Sequence, residues 1–282
     1  MMRNFQDHSE KGSIADAKVL RRFKVQKLAT PEELSRLHVR RLARLANNGV
    51  DETLWQHLKQ CDGLGCWNTS CSAACVFGER REINRLNRQA AIVHRSDQRP
   101  KYFATIIDPH YFRPPGELSG FSINGFFQGI RRRLRGAPDQ WKSARIAGGV
   151  HIAYDRDEDG LEFWSPHAHL TISVEATKKE VRQVLMPRRV PPPELVGAKF
   201  APVTVKAVTN LANAIAYATK VEVDARGAVV DGRGNVDRKW FSIPVAARVE
   251  HDLWLLNMKP RDRTFLSGMK VGRGGVSTRN RG

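Results

Sequence analysis

The chain has 282 residues, of which 41% are hydrophobic and 27% charged, a composition typical of a globular protein with room for one catalytic domain and appendages. Its formal net charge is +18 at pH 7, because 47 Lys and Arg residues outnumber 29 Asp and Glu residues. No apolar run approaches the length of a membrane span, and the N-terminal stretch MMRNFQDHSEKGS contains no apolar signal region. The sequence therefore argues against a membrane protein and predicts a cytoplasmic one.

The positive charge is concentrated in blocks. One begins with KVLRRFKVQK at Lys18, a second is RRRLR, and a third is the Gly- and Arg-rich segment from Lys259 onward. Such a field attracts polyanions, of which nucleic acid is the commonest in a cell. The clustering favours nucleic-acid binding over the alternative that the charge only keeps the chain in solution. The last block is predicted to be a mobile arm that follows phosphates.

Residues 1–60 are predicted to form a basic helical region. The segment ATPEELSRLHVRRLARLANNG has Thr30 as N-cap, Pro31 as first helical residue and Gly49 as its stop. Its buried stripe is predicted to consist of Leu34, Leu37, Leu42 and Leu45. A second short helix is predicted from about Glu52 to Gln60. The pair favours two packed helices over a DNA-binding helix-turn-helix.

Residues 61–99 contain every cysteine of the chain: Cys61, Cys66, Cys71 and Cys75. In a reducing compartment, where disulfides are rare, such a cluster indicates a Zn²⁺ site with four thiolate ligands. The spacing C-x4-C-x4-C-x3-C is looser than the paired C-x2-C spacing of strong zinc motifs. The alternative, that some of these residues are ordinary small buried side chains, therefore stays open.

From Lys101 onward, strand and helix patterns alternate. KYFATII is typical of a strand and GFFQGIRRRLRG of an amphipathic helix with a basic face; ARIAGGVHIAYD and LEFWSPHAHLTISV are predicted to pair as a hairpin across RDEDG. ATKKEVRQVL predicts a helix, and RRVPPPELVG predicts a loop. VKAVTNLANAIAYATKVEV is typical of a long helix. The segment DARGAVVDGRGNVD predicts a turn-rich excursion, and WFSIPVAARVEHDLWLL predicts a further strand and helix. The order predicts an α+β fold with a central antiparallel sheet and flanking helices. Residues 100–225 would form the main domain, and 226–282 a C-terminal extension with a basic flexible tail.

Two histidines lie two residues apart in the strand-like segment EFWSPHAHLTISV. Because successive strand residues point to opposite faces, the apolar residues share the core face: Ala168, Leu170, Ile172 and Val174. His167 and His169 lie together on the other face, where two imidazoles on a rigid strand are suited to hold one metal ion. On the preceding strand His151 also lies on the small-residue face and is the candidate third ligand. The hairpin register leaves Asp155 and Glu162 open as alternatives.

Tyr217 lies on a polar stripe of the predicted long helix. At about 100° per residue, the packing stripe consists of Val208, Leu211, Ala212 and Ile215. The stripe on roughly the opposite side consists of Asn210, Asn213, Tyr217 and Lys220. An amide one turn before the phenol and a lysine one turn after it favour a nucleophile over an ordinary surface tyrosine.

These residues suggest a covalent reaction with DNA. A phenol has a pKa near 10, so Tyr217 is a poor nucleophile at neutral pH unless it is activated. A divalent cation on the histidines would polarise a scissile phosphate, and Lys220 could lower the phenol pKa or contact the phosphate. Attack by Tyr217 would form a phosphotyrosine bond and release a DNA hydroxyl. Asn213 and the basic block are predicted to bind the DNA, the latter through Arg131, Arg132, Arg133 and Arg135.

The sequence resembles the HUH endonucleases, a family named for two histidines that flank a hydrophobic residue. His167, Ala168 and His169, with Pro166 and Trp164 before them, are similar to the aromatic-Pro-His-x-His run of rolling-circle replication initiators. YATK is similar to the family's Tyr-x-x-Lys motif, and YFATIID lies where its first strand motif would. The resemblance covers about residues 102–223, and a cysteine cluster before the first strand also resembles some plasmid initiators.

The resemblance implies a ferredoxin-like sheet with a Mg²⁺ or Mn²⁺ site. It implies a nick in single-stranded or extruded origin DNA, a 5′-phosphotyrosine, and a free 3′-OH that primes rolling-circle replication of a plasmid or filamentous phage. The partners would be origin DNA and the helicase and polymerase of a bacterial host. The chain departs from the family pattern in two ways. The third metal ligand is often acidic in the family, whereas here the candidate is His151. No second tyrosine follows Tyr217 at helical spacing. A glutamate such as Glu222 could then activate water to end a replication round.

Two alternatives remain open. A relaxase or a single-strand transposase would use the same site, although the absence of a long helicase-like extension disfavours a large relaxase and the N-terminal module disfavours the smallest transposases. A non-enzymatic, zinc-dependent DNA-binding regulator would explain the charge and the cysteines. It would leave the paired histidines and the polar stripe of Tyr217 without a role.

Overall fold

A computed structural model describes residues 31–61, 71–187, 201–218, 223–230, 236–272 and 275–278. Its helices are α1 Pro31–Asn47, α2 Glu52–Lys59, α3 Val76–Ser96, α4 Ile123–Arg135, α5 Lys178–Leu185, α6 Leu211–Ala218 and α7 Val245–Leu256. Its strands are β1 Lys101–Ile107, β2 Arg145–Arg156, β3 Glu162–Ser173, β4 Val203–Ala207, β5 Asp224–Val230, β6 Val236–Trp240, β7 Thr264–Ser267, β8 Met269–Gly272 and β9 Gly275–Thr278. Within these ranges, no helix has the length and apolar character needed to cross a membrane.

Seven strands form one sheet in the order β4-β1-β3-β2-β5-β6, with β7 also paired to β2. The pairs β1–β4, β1–β3, β2–β3, β2–β7 and β5–β6 are antiparallel, whereas β5 runs parallel to β2. The predicted α+β class is confirmed. The sheet is mixed rather than purely antiparallel, because β5 enters it beside the C-terminal half of β2 in the same direction.

The β2–β3 hairpin forms as predicted, and its turn fixes the register. The Asp157 carboxylate accepts backbone hydrogen bonds from Asp159 at 3.0 Å and Leu161 at 2.8 Å. Gly160 has φ +84°, a left-handed conformation that glycine adopts without a Cβ clash. This turn places His151 directly opposite His167 across the two strands.

The two faces of the sheet differ as the alternation predicts. Ala168, Leu170, Ile172 and Val174 are fully buried. They belong to one core cluster with Phe126 and Ile130 of α4, Val181 of α5 and Leu255 of α7. On the other face Ala147 and Ile215 belong to a second cluster with residues of α3, so α3 and α6 cover part of the face that carries the histidines.

The N-terminal helices form where the sequence predicts them. Gly49, with φ +68°, follows α1, and the Asp51 side chain caps α2 by accepting from the Thr53 backbone N–H. Leu45 is fully buried, but the predicted buried position Leu37 is 38% exposed, and His38 is buried instead with its ring 5.1 Å from that of Phe77. The interpretation of Leu37 is therefore wrong, because a polar ring one residue further along faces the core.

An ion-pair cluster holds α1 to α7. The guanidinium of Arg41 lies 2.8 Å and that of Arg44 2.6 Å from the buried carboxylate of Asp252. Two basic residues of the N-terminal block therefore serve packing rather than an open basic surface. Breaking such a buried pair by removing one partner destabilises a protein strongly, since the remaining charge is left buried with neither its partner nor water to stabilise it.

The predicted long helix over VKAVTNLANAIAYATKVEV is wrong in its first third. Val203–Ala207 is a strand paired with β1, and its alternating Val203 and Val205 are buried. The helix begins only at Leu211, after Asn210, whose side chain accepts from the Asn213 backbone N–H at 3.0 Å. The helix α3, of 21 residues, was not predicted.

The segment DARGAVVDGRGNVD is not simply turn-rich. Asp224–Val230 pairs with β2 on one side and β6 on the other, and Ala225 is buried. Further along, Thr264–Ser267 pairs with β2 and Phe265 is fully buried. This part of the predicted basic tail is thus a strand of the main sheet.

A buried histidine links α3 to β3 and makes stability depend on pH. His94 is fully buried and its Nδ1 lies 2.7 Å from Ser173 Oγ, while burial lowers its pKa from 6.5 to about 4. The unfolded chain takes up the proton first, so this residue's contribution to stability is complete above about pH 6.5 and is lost as the pH falls towards about 4.

We therefore expect His94→Gln to reduce the pH dependence of stability. Between about pH 7.5 and about pH 5 the wild type should lose about 2 kcal/mol through this group, and the variant should not. Urea unfolding at both pH values measures the difference, with the exposed His110→Gln as control. Equal pH dependence in wild type and His94→Gln would contradict the assignment.

Candidate metal centre and cleft

Three histidines meet on the face of the sheet opposite the core helices. His151 of β2 lies opposite His167 of β3, and His169 lies opposite Gly149 of β2. One ring nitrogen from each of the three lies within 4.8 Å of the other two. The ring of His169 is 4.6 Å from that of His151 and 4.8 Å from that of His167. The predicted third ligand is thus the histidine that the structure brings to the pair.

Hydrogen bonds orient two of the rings. The backbone carbonyl of Ser165 lies 3.0 Å from His167 Nδ1, and since a carbonyl only accepts, Nδ1 donates and Nε2 carries the lone pair. His169 Nδ1 lies 2.9 Å from Thr105 Oγ1 of β1. Partners of this kind hold the rings of metal-bound histidines in one orientation. His151 and His169 are buried, at 3% and 5% exposure.

The cluster fits a metal ion. Three atoms no more than 4.8 Å apart can all lie within about 2.8 Å of one centre, and small side-chain rotations would close them to a metal–nitrogen bond of about 2.1 Å. The set contains three imidazoles and no carboxylate. Imidazole nitrogen suits transition-metal ions, whereas Mg²⁺ prefers oxygen ligands. The histidines therefore suit Mn²⁺ better than Mg²⁺.

Helix α6 places a phenol beside the histidines. Ala212, Ile215 and Ala218 of α6 are buried against the sheet, while Tyr217 is 43% exposed. The Tyr217 ring centroid lies 4.9 Å from that of His169 and 6.2 Å from that of His151. The side of the helix predicted for Tyr217 is thus turned towards the histidines, although the helix that carries it begins later than predicted.

Gly149 allows α6 to come this close. A Cβ at this position would lie 3.2 Å from the backbone oxygen of Ala218 and 2.9 Å from that of Arg263. Both are main-chain atoms, which cannot rotate away as the end of a flexible side chain can. The missing side chain thus sets the distance between β2 and the C-terminal turn of α6, next to Tyr217.

We expect Gly149→Ala to destabilise the protein by about 2 kcal/mol, because overpacking forces backbone shifts. Gly129→Ala is the matched control: its added Cβ would lie no closer than 3.9 Å from a neighbouring atom, and alanine in a helix interior gains about 1 kcal/mol over glycine. Urea unfolding of both variants measures the contrast. If Gly149→Ala were as stable as the wild type, close packing of α6 at this point would be wrong.

His167, His169 and Tyr217 line a cleft of about 490 Å³. Its other lining residues are Phe103, Thr105, Ile107, Ala153, Asp155, Ser165, Thr204, Lys206, Asn213, Ala214 and Arg226. Two of these, Lys206 and Arg226, are cations that the sequence pattern does not identify as site residues. Lys206 was assigned to a helix and Arg226 to a turn, and only strand pairing brings both to this face.

The predicted DNA-binding residues separate into two groups. Asn213 lines the cleft. The block of Arg131, Arg132, Arg133 and Arg135 lies on α4, which packs on the opposite face of the sheet. Within it Arg133 lies 3.7 Å from Asp108, and the guanidinium of Arg131 lies 5.2 Å from the Phe265 ring centroid. These arginines are therefore not brought together with the histidines.

Of the remaining ligand candidates, Asp155 lines the cleft on the same face of β2 as His151. Glu162 does not join the cluster, because it accepts a hydrogen bond from Tyr154 Oη at 2.7 Å and pairs with Arg156. Lys220 lies outside the described residues, as does Glu222. The structure thus leaves the lysine of the predicted motif as a prediction.

Three of the four cysteines lie near one another at the start of α3. Cys61 Sγ is 3.5 Å from Cys75 Sγ, and the Cβ of Cys71 borders the same glycine, Gly78, as the Cys75 sulfur. Cys75 is fully buried and caps α3 by accepting from the Gly78 backbone N–H. Cys66 lies outside the described residues, so zinc binding by four thiolates stays a prediction.

The chemical content of the site follows from the chain itself. Comparison of the chain with protein-family models, with curated proteins and with solved structures found no match. The described residues bring together three imidazoles that could hold a metal ion, a phenol in ring contact with them, and two cations at the same cleft. A metal ion, an oxygen nucleophile and basic side chains are the components that phosphoryl-transfer sites use.

Proposed function

We propose that this protein is a metal-dependent endonuclease of the HUH type that nicks single-stranded or extruded origin DNA through Tyr217. The observation that carries the proposal is the contact of the Tyr217 ring with the His151–His167–His169 cluster, at 4.9 Å between the Tyr217 and His169 centroids. Tyr217 is 43% exposed and lines an open cleft, so a DNA strand can reach its hydroxyl. The arrangement agrees with the family motifs in the sequence.

The reaction is a transesterification at phosphorus. Tyr217 Oη loses its proton and attacks the scissile phosphate. The new bond joins Oη to phosphorus, the bond between phosphorus and the 3′-oxygen breaks, and the leaving 3′-oxygen takes up a proton. The products are a 5′-phosphotyrosine and a free 3′-OH, so no cofactor is consumed and the energy of the phosphodiester is kept for rejoining. The 3′-OH would prime rolling-circle synthesis by a host polymerase.

His151, His167 and His169 would hold Mg²⁺ or Mn²⁺, which when bound supplies a positive charge that polarises the phosphate. The chain's own groups do the positioning. Lys206 and Arg226 attract the DNA backbone from two sides of the cleft. Ser165 and Thr105 hold His167 and His169 in orientation. The part of α6 before Tyr217 supplies Asn213 as a polar contact to the strand.

Adduct formation tests the proposal directly. The protein is incubated with a library of single-stranded oligonucleotides and hairpins from the replicon that encodes it, with Mn²⁺, and the products are separated under denaturing conditions. We expect a covalent protein–DNA species that EDTA prevents, and mass spectrometry of its peptides should locate the nucleotide on Tyr217. A phosphate adduct on another residue would refute the assignment of the nucleophile.

A failure of the proposal has a distinct signature. A non-enzymatic, zinc-dependent DNA-binding regulator would bind the same oligonucleotides with equal affinity with and without added Mn²⁺ and would form no adduct on any of them. The nickase requires metal for the adduct. A relaxase or single-strand transposase would give the same adduct, and the position of the cleaved site relative to a replication origin or an element end distinguishes them.

A further inference from the structure

Trp240, at the end of β6, is a large aromatic side chain left in solvent. It is 64% exposed, whereas the other tryptophans within the described ranges, Trp55, Trp141, Trp164 and Trp254, are at most 6% exposed. The guanidinium of Arg226 lies over its ring at 4.6 Å from the centroid. An exposed indole loses the stabilisation that burial would give it, so its position needs another reason.

The sheet places Trp240 on the face that carries the histidines. Trp240 is directly opposite Arg226 in the β5–β6 pair, and Arg226 is opposite Asp155 in the β2–β5 pair. Asp155 is four residues from His151 along β2 and therefore points to the same face. Strand spacings of about 4.8 Å and a rise of about 3.3 Å per residue put Trp240 about 16 Å from His151.

Arg226 connects the two features. It lines the cleft together with Tyr217 and His167, and it also covers one side of the Trp240 ring. A DNA strand that leaves the cleft along this side passes a cation first and an aromatic surface next. Sites for single-stranded nucleic acid combine these two elements: charges that follow the phosphates, and aromatic rings on which bases stack.

We infer that Trp240 is a base-stacking subsite for single-stranded DNA beside the nicking centre. The inference rests on the proposed function for the identity of the ligand. The indole stacks on one unpaired base that flanks the scissile phosphate, and Arg226 holds the adjoining phosphate. The subsite binds the substrate and its nicked product alike, so it governs affinity and the position of the strand rather than the chemical step.

Binding of a fluorescein-labelled, single-stranded oligonucleotide, measured by anisotropy in EDTA, tests the subsite without any cleavage. We expect Trp240→Ala to weaken binding about tenfold, and Trp240→Phe to restore most of the affinity because it keeps an aromatic surface. Ile92→Ala is the matched control: Ile92 is 62% exposed on α3, and its removal should leave binding unchanged. Equal affinity of Trp240→Ala and Ile92→Ala would overturn the inference.

Two further readouts separate stacking from a purely structural role. In a series of oligonucleotides, a single abasic position is moved outward from the nick. At one position the wild type should bind the abasic oligonucleotide about tenfold more weakly than the intact one, whereas Trp240→Ala should bind both equally. DNA should quench the tryptophan fluorescence of the wild type more than that of Trp240→Phe. Uniform abasic effects in both proteins, or equal quenching, would each count against stacking on this ring.

The failure of the inference differs from the failure of the proposed function. If the protein nicks DNA but Trp240→Ala binds and nicks as the wild type does, the subsite is wrong and the nickase stands. If no adduct forms while Trp240→Ala still weakens binding and the abasic position is found, the subsite stands and the nickase is wrong. In a nickase with this subsite, Trp240→Ala should raise KM about tenfold and leave kcat within about twofold.

Discussion

Replacing Tyr217 by phenylalanine should abolish the covalent DNA adduct and lower the rate of nicking by about 10³-fold or more. The substitution removes the Oη nucleophile but keeps the ring that contacts His169 and Phe103, so the fold, the metal site and DNA affinity should be preserved. Removal of a covalent nucleophile leaves only the slow attack of water. Single-turnover cleavage of a labelled oligonucleotide with Mn²⁺ measures the rate.

Tyr102→Phe is the matched control for the loss of one phenolic hydroxyl. Tyr102 Oη donates to the backbone carbonyl of Ala176 at 2.6 Å and has no place in the cleft. We expect a loss of about 1 kcal/mol in stability and an unchanged rate of nicking. If Tyr217→Phe formed the adduct at the wild-type rate, Tyr217 would not be the nucleophile, and a metal-activated water or another residue would have to replace it in the reaction.

Replacing His167 by alanine should lower the affinity for Mn²⁺ about 10²-fold or more, and nicking with it. The residue is one of three ligands in the cluster, and its orientation is fixed by the Ser165 carbonyl at 3.0 Å. Two imidazoles hold an ion far less tightly than three, because water takes the place of the lost ligand and binds the metal more weakly than imidazole does. Isothermal titration of the metal-free protein with Mn²⁺ measures the change.

Thr105→Val tests the hydrogen bond that orients His169 without removing any of the three histidine ligands. The two side chains have similar shapes, but valine lacks the hydroxyl that lies 2.9 Å from His169 Nδ1. Loss of such a partner lowers metal affinity by about tenfold, which places the Mn²⁺ affinity of this variant between that of the wild type and that of His167→Ala.

Wild-type Mn²⁺ affinity in His167→Ala would show that the three histidines do not form the metal site. An affinity for Mg²⁺ above that for Mn²⁺ would contradict the preference expected for three imidazoles.

Local residue patterns were enough to predict the local features of the site. Alternation along β3 assigns His167 and His169 to one face and Ala168 to the other, because a strand has a period of two wherever it lies. The turn residues 157–161 determine that β2 and β3 pair as a hairpin. The exposed side of α6 at Tyr217 also follows from a local repeat, that of the helix.

How these local elements combine depends on contacts that no local pattern predicts. The register that sets His151 opposite His167, and the pairing that turns Val203–Ala207 and Asp224–Val230 into strands, depend on contacts between segments far apart in sequence. A main chain of modest local preference takes the conformation in which its N–H and C=O groups find partners. For that reason the basic helix α4 lies on the opposite side of the sheet from the histidines. Arg226, in a segment predicted to be turn-rich, and Trp240, at the start of a predicted strand, lie on the face of the histidines.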